Sequence, residues 1–148
     1  MAADIETLYR DVILDHNRRP RNFRVLEDGG KAEGSNPLCG DRLTVYLRVA
    51  SETIQDAAFQ GYGCAIAIAS ASLMTESVKG KTLAEAEALF EQLLQMITAP
   101  AEAPLGDLGG LSALAGVRQF PVRVKCATLP WQALRAAAAG RVEVVSTE

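Results

Sequence analysis

Arg42-Leu43-Thr44-Val45-Tyr46-Leu47-Arg48-Val49 alternates apolar with polar or amphipathic side chains at every step. That period of two is a half-buried strand, with Leu43, Val45, Leu47 and Val49 turned to a core. Ser51 and Glu52 can reverse the chain into a second strand from about Thr53 to Tyr62, with Ala57 and Phe59 on one face. Together the two make an antiparallel hairpin. Downstream the period changes. Small residues with Leu73, Met74 and Val78 fill Ala65 to Lys79 and stop at Gly80, a closely packed helix with a glycine end. Thr82 and Glu85 are spaced as a capping box for a further helix carrying Leu83, Ala86, Leu89, Phe90, Leu93, Leu94 and Ile97.

Upstream, Ile5, Leu8, Tyr9, Val12, Ile13 and His16 recur at helical spacing behind Asp4 as N-cap, which predicts an amphipathic helix over 5–16. Pro20 and the basic run Arg18, Arg19, Arg21 mark its exit, and a Gly-rich polar passage from Asp28 to Pro37 leads to the first strand. At the other end, residues 98–110 hold Pro100, Pro104, Gly106, Gly109 and Gly110 and read as a long surface excursion. Leu111 to Val117 reads as a short helical turn. A last helix is expected from about Leu129 to Ala139, with Thr128 as N-cap, Pro130 in its first turn and Cys126 just ahead of it. The residues from Arg141 read as a loosely attached tail. The expected fold class is α+β: a small antiparallel sheet of about three strands packed against several helices, one domain over residues 1–148.

Composition limits the function. The 148 residues are 49% hydrophobic and 22% charged, enough for a core without disulfides. A net charge of -3 offers no general attraction to nucleic acid or anionic lipid, so neither is expected as a partner. The acidic start from Met1 to Arg10 has no apolar signal region, and the longest apolar stretch, Ala65 to Met74, is interrupted by Ser70 and Ser72. The expectation is a cytoplasmic protein without a membrane span. Three cysteines, an odd number, fit a reducing compartment where thiols bind metals or do chemistry. One histidine excludes every site built from several imidazoles.

Cys39, Cys64 and Cys126 lie at loops or element ends, in Asn36-Pro-Leu-Cys-Gly-Asp41, Gly61-Tyr-Gly-Cys64 and Arg123-Val-Lys-Cys-Ala-Thr-Leu129. A lone cysteine is usually a small buried hydrophobe, but three at such positions suggest a shared task. Cys39 and Asp41 are two apart, so on an extended chain they point the same way. If Cys64 and Cys126 converge on them, three sulfurs and one oxygen form a tetrahedral set suited to Zn2+. Asp41 reads equally well as a plain strand-start residue. Four ligand charges against the two of zinc call for neighbouring cations, and Arg42, Arg123 and Lys125 are close in sequence. His16 reads as a satisfied histidine or as a ligand or proton carrier; Trp131 reads as core.

With Tyr9-Arg-Asp-Val-Ile-Leu-Asp-His16, Thr75-Glu-Ser-Val-Lys-Gly-Lys-Thr82 and the three cysteine motifs, nearly the whole chain resembles the iron–sulfur cluster assembly family of IscU and the N-terminal part of NifU, most closely its SufU branch. The resemblance implies a SufE/NifU-like fold and metal ligands at Cys39, Asp41, Cys64 and Cys126; the charge balance adds Arg123 and Lys125 around them. It implies a zinc-dependent acceptor of persulfide sulfur from a SufS-like cysteine desulfurase, with Cys39 as acceptor. It equally implies the alternative of a scaffold that builds a transient [2Fe-2S] cluster on Cys39, Cys64 and Cys126 and hands it to downstream assembly or apo-acceptor proteins. A third reading is a zinc module whose metal only holds the fold. Where IscU has histidine before the last cysteine this chain has Lys125, and the Leu-Pro-Pro-Val-Lys stretch appears as Phe120-Pro-Val-Arg-Val. The Pro/Gly-rich passage at about 98–116 resembles the insertion of the SufU branch.

Overall fold

Period-two burial sets the frame of the fold. The computed structural model describes residues 2–27, 29–100, 103, 108–140 and 144–146, and the side chains of residues 2–6 and 8 lie outside the description. Strands β2 (Asp41–Ala50) and β3 (Thr53–Tyr62) form the expected antiparallel hairpin, with Leu43 opposite Gly61 and Val45 opposite Phe59. Leu43, Val45, Ala57 and Phe59 are fully buried. The alternation of β3 is weak because Ala57, Ala58 and Phe59 are buried in succession; its outer edge is paired with residues 22–24, with the Phe59 N–H on Asn22 O at 3.0 Å and the Arg24 N–H on Phe59 O at 3.1 Å.

Two further strands lie where the sequence suggested none. Gly30–Asn36 is β1, paired antiparallel with β2 from Gly30 opposite Leu47 to Asn36 opposite Asp41. Its inward positions are Ala32, Gly34 and Asn36 rather than branched residues, so the passage looked like polar loop. Gly34 lies against Leu129, whose Cδ1 would be 2.9 Å from any Cβ there. Val145–Ser146, in the expected loose tail, is β4 and pairs parallel with Gly34 and Ser35, giving the order β3-β2-β1-β4. The rest of the tail, 141–143 and 147–148, lies outside the described residues.

Helices cover one face of this sheet. They are α1 (Ala2–Arg18), α2 (Ala65–Val78), α3 (Leu83–Thr98) and α4 (Val124–Ala138). α2 packs among α1, α4 and β3, which explains why it is apolar on all sides, and α4 lies on β1 and β2. The capping box forms as read: the Glu85 N–H donates to Thr82 Oγ1 and the Thr82 N–H to Glu85 Oε1. α1 begins before Asp4, which is therefore not its N-cap.

α4 begins at Val124, four residues before the expected cap Thr128, and Pro130 stands in its interior. A 3-10 turn over Pro121–Arg123 runs directly into it and supplies the first turn. Pro130 removes one amide donor, so the Cys126 carbonyl has no i+4 helical partner. Thr128 Oγ1 instead donates to the Lys125 carbonyl at 3.4 Å. Within the expected excursion, residues 101, 102 and 104–107 lie outside the description. The short helical turn expected at Leu111–Val117 is a 3-10 helix over Gly109–Gln119, with Leu111, Leu114 and Val117 fully buried against α1, α2 and α3, so the insertion drawn to about 116 is not loop throughout. Among the described residues no helix is long and apolar enough to cross a membrane.

Candidate metal centre

One turn, one strand start and two helix starts meet at a single point. Asp41 opens β2 opposite Asn36 and is 1% exposed. Cys39 sits in the turn between β1 and β2, where its N–H donates to Asn36 O at 3.2 Å and the Gly40 N–H to Pro37 O at 3.3 Å. Gly40 takes φ 73°, which closes the turn. Cys64 is the N-cap of α2, and Cys126 is the third residue of α4 rather than a residue ahead of it. The N-terminus of α2 therefore turns the positive end of its dipole to this place, whereas the start of α4 is continued backwards by the 3-10 turn, whose Pro121 carbonyl accepts the Val124 N–H.

The ligand atoms of Cys39, Asp41 and Cys126 lie within 4.8 Å of one another. Cys126 Sγ is 3.2 Å from Cys39 Sγ. Cys64 stands beside this set without meeting the same mutual distance: its Sγ is 3.8 Å from Asp41 Oδ2, and its N–H donates to Asp41 Oδ1 at 2.7 Å. All three cysteines are free thiols. Tetrahedral zinc with Zn–S of about 2.3 Å holds two sulfurs about 3.8 Å apart, so the Cys39–Cys126 pair would open by about half an ångström. Two sulfurs and a buried carboxylate oxygen thus suit Zn2+ in donor type and nearly in spacing, with the Cys64 sulfur beside Asp41.

The electrostatics ask for a cation. Burial pushes the Cys126 thiol far above the ordinary thiol range, helped by its hydrogen bond with Cys39, the charge of Cys64 and the hydrogen bonds of Asp41 and Cys64. Arg123 answers part of this demand. Its pKa is raised first by the charge of Cys64 and then by a hydrogen bond with Cys126, against burial. Lys125 is exposed and lines a groove of about 480 Å³ together with Asn36, Leu38, Cys39, Val122 and Arg123. Arg42 is engaged elsewhere, in an ion pair with Glu33 at 2.7 Å across the β1–β2 pair.

His16 takes no part in the cluster. It is 6% exposed between α1 and α2, with Nδ1 2.7 Å from Ser72 Oγ, and that same oxygen accepts the Arg21 N–H at 2.8 Å. Ser72 Oγ and Nδ1 thus share one hydrogen bond, and Nε2 faces Glu76 at 3.8 Å. Trp131 is core, donating Nε1–H to Ser70 Oγ at 3.2 Å.

Two residues near the centre were not singled out from the sequence. Asn36 donates Nδ2–H toward Cys126 Sγ at 3.6 Å; standing before Pro37, it read as part of a polar turn. Tyr9 read as an ordinary member of the α1 stripe. Burial raises its phenol pKa, with Arg123 lowering and Cys64 raising it, so the ring lies within electrostatic reach of the centre. It stacks on Phe120 at 6.5 Å, and Gly116 lies so close under the ring that no Cβ would fit.

Comparison with known proteins places these features in company. A model of the NifU-like N terminal domain matches residues 8–139. The chain is 43% identical over 132 residues to the zinc-dependent sulfurtransferase SufU of Bacillus subtilis, covering 89% of this chain and 90% of that protein. It is 39% identical over 135 residues to the iron-sulfur cluster assembly scaffold protein IscU of Streptococcus pyogenes, covering 91% and 85%. Among solved structures, the N-terminal part of a nitrogen-fixing NifU-like protein from Brucella abortus superposes with a TM-score of 0.79 at 25% identity, covering 95% of this chain and 96% of that one.

Proposed function

Because the chain belongs to the NifU-like N terminal domain family, we propose that it works in iron–sulfur cluster assembly as a zinc-dependent sulfur acceptor served by a cysteine desulfurase. The Bacillus relative is named a zinc-dependent sulfurtransferase. One observation carries the reading for this chain: of the three clustered cysteines, Cys39 lines the open groove while Cys126 is fully buried. Cys39, Asp41, Cys64 and Cys126 would hold Zn2+, and bound zinc supplies the charge that keeps the thiols ionised near neutral pH.

The groove suits a visiting persulfide. Leu38 and Val122, 74% and 75% exposed, form apolar walls for a docked partner, and Arg123 and Lys125 bring positive charge to an incoming sulfur anion. The Cys39 thiolate attacks the terminal sulfur of the donor's Cys–S–SH. A new S–S bond forms at Cys39, the donor's S–S bond breaks, and the donor cysteine leaves as thiolate. The sulfane sulfur keeps its oxidation state, so no external oxidant is needed. Such chemistry needs reduced thiols, which a reducing compartment such as the cytoplasm maintains.

Desulfurase turnover of cysteine is expected to rise on adding the zinc-loaded protein, to rise less with metal-free protein, and not to rise with Cys39→Ser. Normal stimulation by Cys39→Ser would remove Cys39 from the role. The scaffold reading is favoured by the Streptococcus relative and by a donor set with one oxygen, which suits a cluster meant to leave. It predicts that anaerobic iron and sulfide give a coloured cluster that passes to an apo acceptor. A zinc module that only holds the fold predicts no desulfurase binding and unfolding on chelation.

A further inference from the structure

Asn36 ends β1 at 1% exposure, and its side chain is satisfied at one end only. Nδ2 lies 3.6 Å from Cys126 Sγ, a hydrogen-bond distance for sulfur, while Oδ1 is buried without a partner. A buried amide oxygen without a donor is destabilising, and an apolar side chain of the same shape would avoid the cost. An amide kept there for stability alone has no reason to leave that end bare. Sulfur accepts this N–H whether or not a metal is bound to it. The backbone of the same residue holds a second cysteine, since Asn36 O accepts the Cys39 N–H at 3.2 Å.

One residue thus grips two cysteines by different parts: the main chain of Cys39 and the sulfur of Cys126. The Cys39 sulfur is left to its contact with Cys126 and lines the groove. We infer that Asn36 is a positioning residue that pins the Cys126 sulfur inside the site, so that Cys39 is the thiol presented to the groove. The purpose of this arrangement rests on the sulfur-acceptor reading; its geometry does not.

The test is competitive alkylation of the zinc-equilibrated full chain with less than one equivalent of iodoacetamide, followed by peptide mapping. In the unaltered protein Cys39 is labelled first and Cys126 last. Asn36→Leu, close in volume and without a donor, is expected to raise the Cys126-to-Cys39 labelling ratio about fivefold or more, the scale of one net hydrogen bond. Asn36→Asp keeps the shape, opposes the sulfur with a carboxylate and should raise the ratio further. If Asn36→Leu does not fold, Asn36→Ser, too short to reach the sulfur, should raise it in the same direction. A ratio unmoved in the folded variants overturns the inference, as does a uniform rise at all three cysteines with a lower Tm, which is what a merely structural role produces. No desulfurase is present, so failure here leaves the acceptor reading standing. Failure of the unaltered protein to take sulfur from a desulfurase removes that reading without touching the labelling result.

Discussion

At the residue scale, Gly63 sets how closely the end of β3 approaches the carboxylate of Asp41. A Cβ at Gly63 would lie 2.8 Å from Asp41 Oδ1 and 3.2 Å from its Cγ. Gly63→Ala must displace the carboxylate that accepts the Cys64 N–H, and displaced supporting contacts at metal sites cost about 10- to 100-fold in affinity. The variant is expected to keep its far-UV spectrum and to lose zinc to a chromophoric chelator at about tenfold lower chelator concentration. Unchanged affinity would argue against Asp41 as a ligand. His16 makes a separate prediction in pH. Burial, then Arg21, lower its pKa below 6.5, against the pull of Glu76 and Asp15. Below pH 6.5 the unfolded chain binds the proton more readily, so stability is full above that pH and falls as pH drops toward the folded-state pKa. Urea midpoints between pH 5 and 7.5 should show this slope, and His16→Asn should flatten it. Asp56, held at about 2 as the hydrogen bonds of Arg24 and Lys79 overcome its burial, acts only at much lower pH.

At the element scale, local signals were legible and compensated ones were not. The β2–β3 hairpin and the Thr82–Glu85 box could be read directly because each depends on a few adjacent residues. β1 was hidden because its inward residues are small or polar, chosen for the approach of Leu129 and for the site rather than for strand propensity. The start of α4 was hidden because Pro130 suggests a first turn, whereas the 3-10 turn before Val124 supplies it. Of the centre, Cys39, Asp41 and Cys126 were legible as chemistry, while Asn36 and Tyr9 depend on contacts across 90 residues and between helices that no local pattern carries. The hairpin turn also holds strain. Ser51 and Glu52 have φ of 51° and 62°, the pattern of a turn that prefers Asn-Gly. The double change Ser51→Asn with Glu52→Gly should stabilise the protein by about 1 kcal/mol, read as a higher Tm; no gain would mean the strain is relieved elsewhere.

Over the whole molecule, the centre ties together pieces far apart in sequence: the β1–β2 turn, the start of α2 and the start of α4. Anything bound there joins β1 and β2 to α4, which covers them, and to the start of α2, so zinc should stabilise the fold as a whole. With free zinc about 100 times its Kd the gain is about 2.7 kcal/mol, or roughly 5–10 °C in Tm for a chain of this length. The shift should vanish in Asp41→Ala. The same convergence leaves Cys39 beside an open groove walled by Leu38 and Val122, and the central claim is that sulfur arrives there. The most direct test incubates the zinc-loaded protein with a cysteine desulfurase and cysteine, then maps intact and digested protein by mass spectrometry under non-reducing conditions. The account predicts one extra sulfur atom on the Cys39 peptide, removed by thiol reductant and absent from Cys39→Ser. Sulfur found only on Cys64 or Cys126, or carried equally by Cys39→Ser, would contradict it.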